Sequence, residues 1–454
     1  MVKKLFIFLL LILILAISAI TVGSWMTAKE LDTHWNETLD SINKSPNVRA
    51  SWIANSYLPW FRSGELHLVI LTDEMQRNNA MPTYDPKDLE ELTASQEELM
   101  AYDSQKPTDI YIDINHFILP FYVSGSAQLD TTKGTLKKWM AKNKSGQNLP
   151  LTFSWKYFAY NNDTELSVNL DQIKIEDGDT SLNIQPGFIR MSGIWDGSMH
   201  TEYEWKGMSE VNAKLNMKTE LRPMKGEYDM EPWGKVHMIP NSKFHIDGFN
   251  INSGNTKITA EDLTIDSKTD LDSSMNPGAL SSVTALKAKS LGLTQNGEGS
   301  SFLFEHIDLA LKFDGLDKEG FIQLLNFAED KQTDTTKLLA SLDRVTNRTI
   351  TLGLKTSGLT LNGLPMQVDL NSQSIPVSGQ TFMQSLMMGN FSNLFFVKGD
   401  ISADKGITTK LSPDLNTMVQ QQIQKGYIKE SETSYQSSLL YSSGQLTINN
   451  QLVE

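Results

Sequence analysis

The stretch KFHIDGFNI, Lys243 to Ile251, carries the pattern that decides the fold. Phe244 and Ile246 alternate with polar residues, which is typical of a β-strand with one dry and one wet face. Phe249 and Ile251 then continue the alternation one residue out of phase. Because side chains alternate strictly along a strand, this slip would move the later apolar side chains to the wrong face. A β-bulge adds one residue, restores the face and bends the strand.

The same slip recurs along the chain, so it needs a structural explanation. We predict long strands, bulged or bent, in an antiparallel sheet. Two short strands joined at a corner, as in a closed sandwich, are the alternative. Both give the same fold class: mainly β with minor α, in a large, extended, twisted antiparallel sheet. The further copies are Val168–Ile175, Ile258–Ile265, Leu286–Leu293, Phe302–Leu309 and a weaker one at Leu354–Leu361.

A few helices are predicted to cover the dry face of this sheet. These helices are too few to cover a wide sheet, so we expect part of the apolar face to stay uncovered. The alternative, which has equal weight, is a sheet that closes on itself into a sandwich or barrel. The segments with helical patterns are Asp85–Tyr102, Gly320–Asn347 (as two short helices), Gln380–Phe396 and Pro413–Ile428.

The N-terminus predicts a membrane anchor. Lys3 and Lys4 precede an apolar run, Leu5–Val22, which would span roughly 27 Å as a helix, close to the thickness of a bilayer core. The lysines place the N-terminus in the cytoplasm and the body on the other side. A cleaved signal peptide is the alternative, although this apolar run is long for one. We predict a cytoplasmic stub and transmembrane helix over residues 1–25.

A helical stripe follows the anchor and predicts a stalk helix over residues 26–50. It either docks on the main domain or pairs with a second copy. Residues 51–454 form the predicted β-rich body, with a division into two sub-domains near 315–348 as an option. The stripe consists of Leu31, Trp35, Leu39 and Ile42.

Composition excludes several classes of protein. The formal net charge of −14 argues against nucleic-acid binding, which requires a basic surface. The chain has no cysteine, so disulfides, thiolate metal sites and cysteine nucleophiles are excluded. A large extracytoplasmic chain without cysteine is ordinary in bacteria.

The stretch YLPWFRSGELHL, Tyr57–Leu68, is similar to an early motif of the bacterial YdgA-like family, although Pro59 replaces a common glycine. INHFILP at Ile114–Pro120 resembles a degraded His-Gly-Pro segment that keeps the histidine. SYQSSLLYSSGQLTINNQ, residues 434–451, is similar to its closing hairpin. The resemblance implies an anchor in the inner membrane of a Gram-negative bacterium and a periplasmic body. It implies no activity and no catalytic residue.

No motif for catalysis, phosphate binding or metal binding is present, so we predict no catalytic residue, metal site or cofactor. His116, His245 and His306 are predicted to be strand residues with local hydrogen bonds. The segment FMQSLMMGNF, residues 382–391, predicts core packing or, alternatively, a hydrophobic contact with a lipid or a partner. The residues of that candidate contact are Phe382, Met383, Met387, Met388 and Phe391.

The function predicted from these patterns is that of a non-enzymatic envelope protein. Its curved apolar sheet face would bind a lipid-like ligand or another envelope protein, or serve as a scaffold. One alternative is an envelope hydrolase whose site is not visible in the sequence. Another is a structural homodimer in which a second copy covers the apolar face.

Overall fold

The structure is a computed structural model. It describes residues 24–29, 31–33, 35–45, 47–71, 108–135, 137–138, 151–194, 197–233, 236–270, 278–295, 301–329, 334–411 and 413–453. Within these ranges, no helix combines the length and the apolar character needed to cross a bilayer. The anchor predicted at Leu5–Val22 and the helix predicted at Asp85–Tyr102 lie outside the described residues.

The chain divides into two compact units, Met1–Asp177 and Gly178–Glu454, here called unit 1 and unit 2. Each is built mainly from antiparallel β-sheet, which confirms the predicted fold class in this respect. The first unit combines a helical N-terminal segment with strands, and the second combines strands with five short α-helices among its described residues.

Unit 1 contains a six-stranded meander, β1 to β6, in which each of the first five strands pairs antiparallel with the next. Before it lies the N-terminal helical segment, residues 24–29, 31–33 and 35–44. The strands are β1 (Val48–Leu58), β2 (Phe61–Ile70), β3 (Thr108–Leu119), β4 (Tyr122–Leu129), β5 (Leu151–Phe158), β6 (Asp163–Leu170) and β7 (Ile173–Asp177).

The core of unit 1 lies between the N-terminal helical segment and one face of this meander. In β3, Ile114, His116 and Ile118 share the buried face. Trp35 of the helical segment packs against the buried cluster around Ile114, and Leu31 packs against the cluster around Ile118. The helical stripe seen in the sequence therefore faces the sheet of its own chain.

Two glycines make room for the indole rings of this core. A Cβ atom at Gly64 would lie 2.4 Å from the ring of Trp52, and one at Gly125 would lie 2.2 Å from the ring of Trp155. Such distances are too short for any side chain, so the glycines leave room for both rings against the neighbouring strand.

Unit 2 contains the longest strands of the chain. The strands are β8 (Thr180–Ile184), β9 (Gly187–Ile194), β10 (Met199–Trp205), β11 (Met208–Asn212), β12 (Met217–Leu221), β13 (Met224–Trp233), β14 (Val236–Ser253), β15 (Thr256–Asp270), β16 (Ala279–Gln295), β17 (Ser301–Asp317), β18 (Thr351–Ser357), β19 (Thr360–Leu361), β20 (Leu364–Ser374), β21 (Phe395–Asp404), β22 (Lys429–Glu430), β23 (Ser434–Ser442), β24 (Gln445–Ile448) and β25 (Gln451–Leu452).

The helices of unit 2 are short and lie between strands in the sequence. Asp334 caps the second one by accepting hydrogen bonds from the backbone N–H groups of Thr336 and Lys337. The helices are α1 (Lys318–Glu329), α2 (Thr335–Thr346), α3 (Gly379–Met387), α4 (Gly406–Leu411) and α5 (Pro413–Gln424), with a 3₁₀ turn at Phe391–Leu394.

Four of the slipping motifs lie inside the continuous strands β14, β15, β16 and β17, as the prediction of long bent strands requires. Two others are divided between separate strands. Val168–Ile175 is split between β6 and β7, and Leu354–Leu361 is split between β18 and β19. Both interpretations of the motif therefore occur, in different parts of the chain.

The prediction of a bulge at these slips was wrong. Ile246 lies opposite Leu263 before the slip, and Gly248 lies opposite Glu261 after it, in one unbroken register. No residue is inserted, because both strands of the pair slip at the same place. Register shifts do occur elsewhere in unit 2, for example between Asp229 and Glu231 of β13.

A line of residues with positive φ replaces the expected bulges, and we call this line the crease. In β14, β15 and β17, one residue with positive φ reverses the side-chain direction, so the apolar set returns to its original face, whereas β16 carries the slip without such a residue. Gly248 has φ 147°, where a Cβ atom would lie 2.3 Å from the carbonyl oxygen of Ala260. The positions of the crease are Gly207, Gly248, Asp262, His306 and Gly358.

Candidate functional site

One candidate surface is the apolar side of the long strands in unit 2. Phe244 lies opposite Ile265, and Ile265 lies opposite Leu286 in the next strand. Beyond the crease, Ile258 lies opposite Leu293 in the same manner. The apolar face is defined as Phe244, Phe249, Ile251, Ile258, Ile265, Leu286, Leu291, Leu293, Phe302, Phe304 and Leu309.

Water reaches part of this apolar face. Ile258 is 39 % exposed and Leu293 is 42 % exposed, although both are large aliphatic side chains. Among the described helices, α1 and α2 pack on β17, and α3 packs on α2. Adjacent apolar side chains are thus available to a molecule that would remove them from water.

A second candidate is a cavity of about 350 Å³ that is lined mainly by polar residues of β10, β13, β14 and β15. His200 Nδ1 lies 2.8 Å from Asp229 Oδ1, and Asn241 Nδ2 donates to Asp229 Oδ2 at 3.2 Å. The hydrogen bond with His200 is the main cause that lowers the pKa of Asp229. Lys243 and Lys268 also line the cavity, beside further carboxylates. This mixture of charges suits a polar molecule and selects no single ligand charge.

Two of the three predicted strand histidines lie on or beside the crease. His245 makes the predicted local hydrogen bonds, with Thr264 Oγ1 at 3.0 Å and with Asp247 Oδ1 at 2.9 Å. His306 occupies a crease position with φ 54°. Neither lies in a cluster of metal ligands within the described part of the chain.

Unit 1 carries a compact cluster of acidic side chains on the other face of its sheet. Glu65, Asp113 and Asp130 each place a carboxylate oxygen within 4.8 Å of the others. Lys133 Nζ is hydrogen-bonded to Glu65 and lies 3.4 Å from Asp130 Oδ2. Three carboxylates are the ligand type that Ca²⁺ or Mg²⁺ prefers, but here the ammonium group of Lys133 already binds two of them.

The cluster perturbs the protonation of its members. Burial first, and then the charges of Asp130 and Glu65, raise the pKa of Asp113. The hydrogen bond to Glu65 is the main cause that raises the pKa of Lys133. These shifts fit a cluster of charges in which Lys133 neutralises part of the negative charge of the carboxylates.

The residues predicted as a hydrophobic contact lie in and after α3. Phe382 and Met383 are half-buried, whereas Met387 is 80 % exposed and Met388 is 73 % exposed. Phe391 begins the 3₁₀ turn, and its side chain lies outside the described part. The structure therefore divides the cluster into a half-buried pair and an exposed pair, and its role stays a prediction.

Sequence reasoning missed both polar candidate sites. The acidic cluster joins Glu65 of β2, Asp113 of β3 and Asp130 after β4, and each looks like an ordinary wet-face residue in its own strand. The polar cavity likewise combines single residues from several strands. Only knowledge of strand register could have brought these side chains together.

A family model covers residues 1–454 of the chain, and its description is "Bacterial protein of unknown function (DUF945)". Comparison with curated proteins and with solved structures gives no match. The description names neither an activity nor a ligand, and it leaves the YdgA-like name an interpretation of the motifs. By this match over its whole length, the chain belongs to this bacterial family of unknown function.

Proposed function

We propose that this chain is a non-enzymatic envelope protein that binds the acyl chain of a lipid-like ligand on the apolar face of unit 2. One observation carries the proposal: Ile258 and Leu293 lie opposite each other in that face and are each about two-fifths exposed. Large aliphatic side chains in adjacent strands gain free energy when a ligand covers them, and each methylene group buried contributes about 0.8 kcal/mol.

An acyl chain fits this surface better than a polar ligand does. The apolar face presents aliphatic and aromatic side chains without a converging set of charged groups. Ligand recognition there would depend on apolar area, and the affinity would stay moderate because ordering a flexible chain opposes binding. A protein partner or a second copy of this chain could cover the same face, and the experiment below separates these occupants.

The proposed location is the inner membrane, with the N-terminus in the cytoplasm and the body in the periplasm. Its support is the sequence: Lys3 and Lys4 followed by the apolar run Leu5–Val22, together with a body that lacks cysteine. Anchoring at a bilayer would keep the apolar face close to a source of acyl chains.

Photo-crosslinking in cells tests the ligand. A photoreactive phenylalanine derivative replaces Leu293 in the full chain, and mass spectrometry identifies what it captures. Leu303 is the matched control because it is 37 % exposed and lies between Phe302 and Phe304, on the other face of β17. We expect phospholipid or another acyl adduct at position 293 and at least tenfold less at position 303.

Other outcomes contradict the lipid proposal in distinguishable ways. Equal capture at the two positions would show non-specific labelling. A crosslink from position 293 to a second copy would favour the homodimer, and one to a different protein would favour a scaffold role. An enzyme would convert the molecule that it binds, so adducts of intact lipid would argue against an enzymatic role.

A reporter fusion tests the anchor and the orientation. Alkaline phosphatase, which is active only after export, is fused after Glu454, and the membrane and soluble fractions are separated. We expect an active fusion in the membrane fraction, and an inactive soluble fusion when residues 5–22 are deleted. An inactive fusion of the full chain would contradict the periplasmic location.

A further inference from the structure

A small cavity in unit 1 lies between the N-terminal helical segment and the first three strands. Its volume is about 20 Å³, and its lining includes Trp35 from the helical segment, Arg62 from β2 and His116 from β3. Its rim includes Tyr57, which is 58 % exposed. The cavity is separate from the apolar face proposed above, which belongs to unit 2.

Three nitrogen atoms of the lining are buried without a hydrogen-bond partner among the described residues. They are Trp35 Nε1, Arg62 Nε and His116 Nδ1. The His116 side chain belongs to a residue that is only 5 % exposed, so bulk water does not satisfy it. Buried polar groups in folded proteins nearly always have partners, and three orphaned atoms around one cavity therefore require an explanation.

The residues that line the cavity do not supply hydrogen-bond partners for these three nitrogen atoms. An indole N–H and a guanidinium N–H are donors only, so Trp35 and Arg62 cannot pair with each other. The remaining guanidinium nitrogens of Arg62 are already used, since Nη1 donates to the Leu58 carbonyl oxygen and Nη2 to Asp32 Oδ2, both at 3.1 Å. An occupant that accepts hydrogen bonds from Trp35 Nε1 and Arg62 Nε would satisfy both donors.

Charge and size restrict this occupant further. Asp32 neutralises Arg62, and His116 is uncharged near neutral pH because burial, and then the charge of Arg62, lower its pKa to about 4. The neutral ring can present either a donor or an acceptor at Nδ1, according to its tautomer. A volume of about 20 Å³ is sufficient for a water molecule or a monatomic ion.

We propose that this cavity binds a single water-sized hydrogen-bond acceptor, held by Trp35, Arg62 and His116. A water molecule and a monatomic anion such as chloride share this chemistry. The bound acceptor joins Trp35 of the N-terminal helical segment to Arg62 of β2 and His116 of β3. It therefore helps to fix the orientation of the helical segment on the sheet of unit 1.

Crystallography of the full chain, grown in sodium bromide and separately in a buffer without halide, tests the proposal. Bromide scatters anomalously and water does not, so the two sources are distinguished in one pair of maps. We expect a peak within hydrogen-bonding distance of the three nitrogen atoms. An anomalous peak in bromide identifies an anion, and a peak without anomalous signal in both crystals identifies water.

Matched variants give the control. Trp35→Phe removes the orphaned indole N–H and keeps an aromatic ring, and Trp52→Phe makes the same change in another wall of the cavity. We expect the peak to lose at least half of its occupancy in the first variant and to persist in the second. Maps of the unchanged chain alone would overturn the proposal if the cavity is empty. They would also overturn it if the three nitrogen atoms are hydrogen-bonded to protein groups.

Discussion

Acidification from pH 7 to pH 4 is expected to destabilise unit 1 by about 3 kcal/mol through His116 alone. Burial, and to a lesser extent Arg62, lower the pKa of this histidine from 6.5 to about 4. Between these values the unfolded chain binds a proton that the folded chain does not, so stability falls as the pH falls. Below about pH 4 the folded state also binds the proton, and this contribution levels off.

Hydrogen exchange of peptides from β3, corrected for the pH dependence of intrinsic exchange, measures this effect. His116→Phe removes the titrating group and keeps an aromatic ring against Trp35 and Trp155. Between pH 7 and pH 4, the free energy of opening should fall by roughly 3 kcal/mol less in His116→Phe than in the unchanged chain. His200→Phe is the control, because that side chain is 47 % exposed and belongs to unit 2. If the protection of β3 depends equally on pH in His116→Phe and in the unchanged chain, the pH effect does not come from His116.

Replacement of Asp317 by alanine is expected to destabilise unit 2 by about 3 kcal/mol. Asp317 is 3 % exposed and accepts hydrogen bonds from the Gly320 backbone N–H at 2.7 Å and from Arg344 Nε at 3.1 Å. Its second oxygen lies 3.1 Å from Arg348 Nη2. One carboxylate thus caps α1 and holds the arginines at the end of α2. Because both arginines are partly exposed, the expected loss lies at the low end for a broken buried ion pair.

Asp308→Ala provides the matched control on the same strand. Asp308 is 46 % exposed and lies 3.6 Å from Lys287, so its loss should change stability by less than about 1 kcal/mol. Urea unfolding of the three full-length chains, with hydrogen exchange of α1 and α2 peptides, measures the difference. Similar losses for the two variants, or an α1 that stays protected in Asp317→Ala, would contradict the role given to Asp317.

Local sequence patterns located the long strands correctly but gave the wrong backbone conformation at the places where the alternation changes phase. The alternation around Phe244 and Phe249 located a long strand and the exact place where its phase changes. It also led to the wrong expectation of a bulge, since a bulge is the usual remedy when a single strand slips. In the structure Ile246 and Leu263 belong to partners that slip together. Register is a property of two strands, and it cannot be read from either one alone.

The buried cavity of unit 1 shows the same limit for a site. The sequence placed His116 correctly in a strand and predicted a local hydrogen bond for it. Instead, its ring lies among the indoles of Trp35 and Trp155, and Nδ1 has no partner among the described residues. Period-two alternation indicates which face a residue occupies, but the identity of its neighbours depends on how distant segments dock.

The crease also restricts how the length of this chain can change during evolution. Gly248 of β14 lies opposite Glu261, the residue next to Asp262 in β15. Deletion of one residue from β14 or β15 would displace its crease position against that of the paired strand and invert its remaining side chains. Compensation would require simultaneous deletions in adjacent strands, which are rare. Length differences among homologues should therefore accumulate at the turns, for example at Ser253–Thr256 between β14 and β15, and spare the strands themselves.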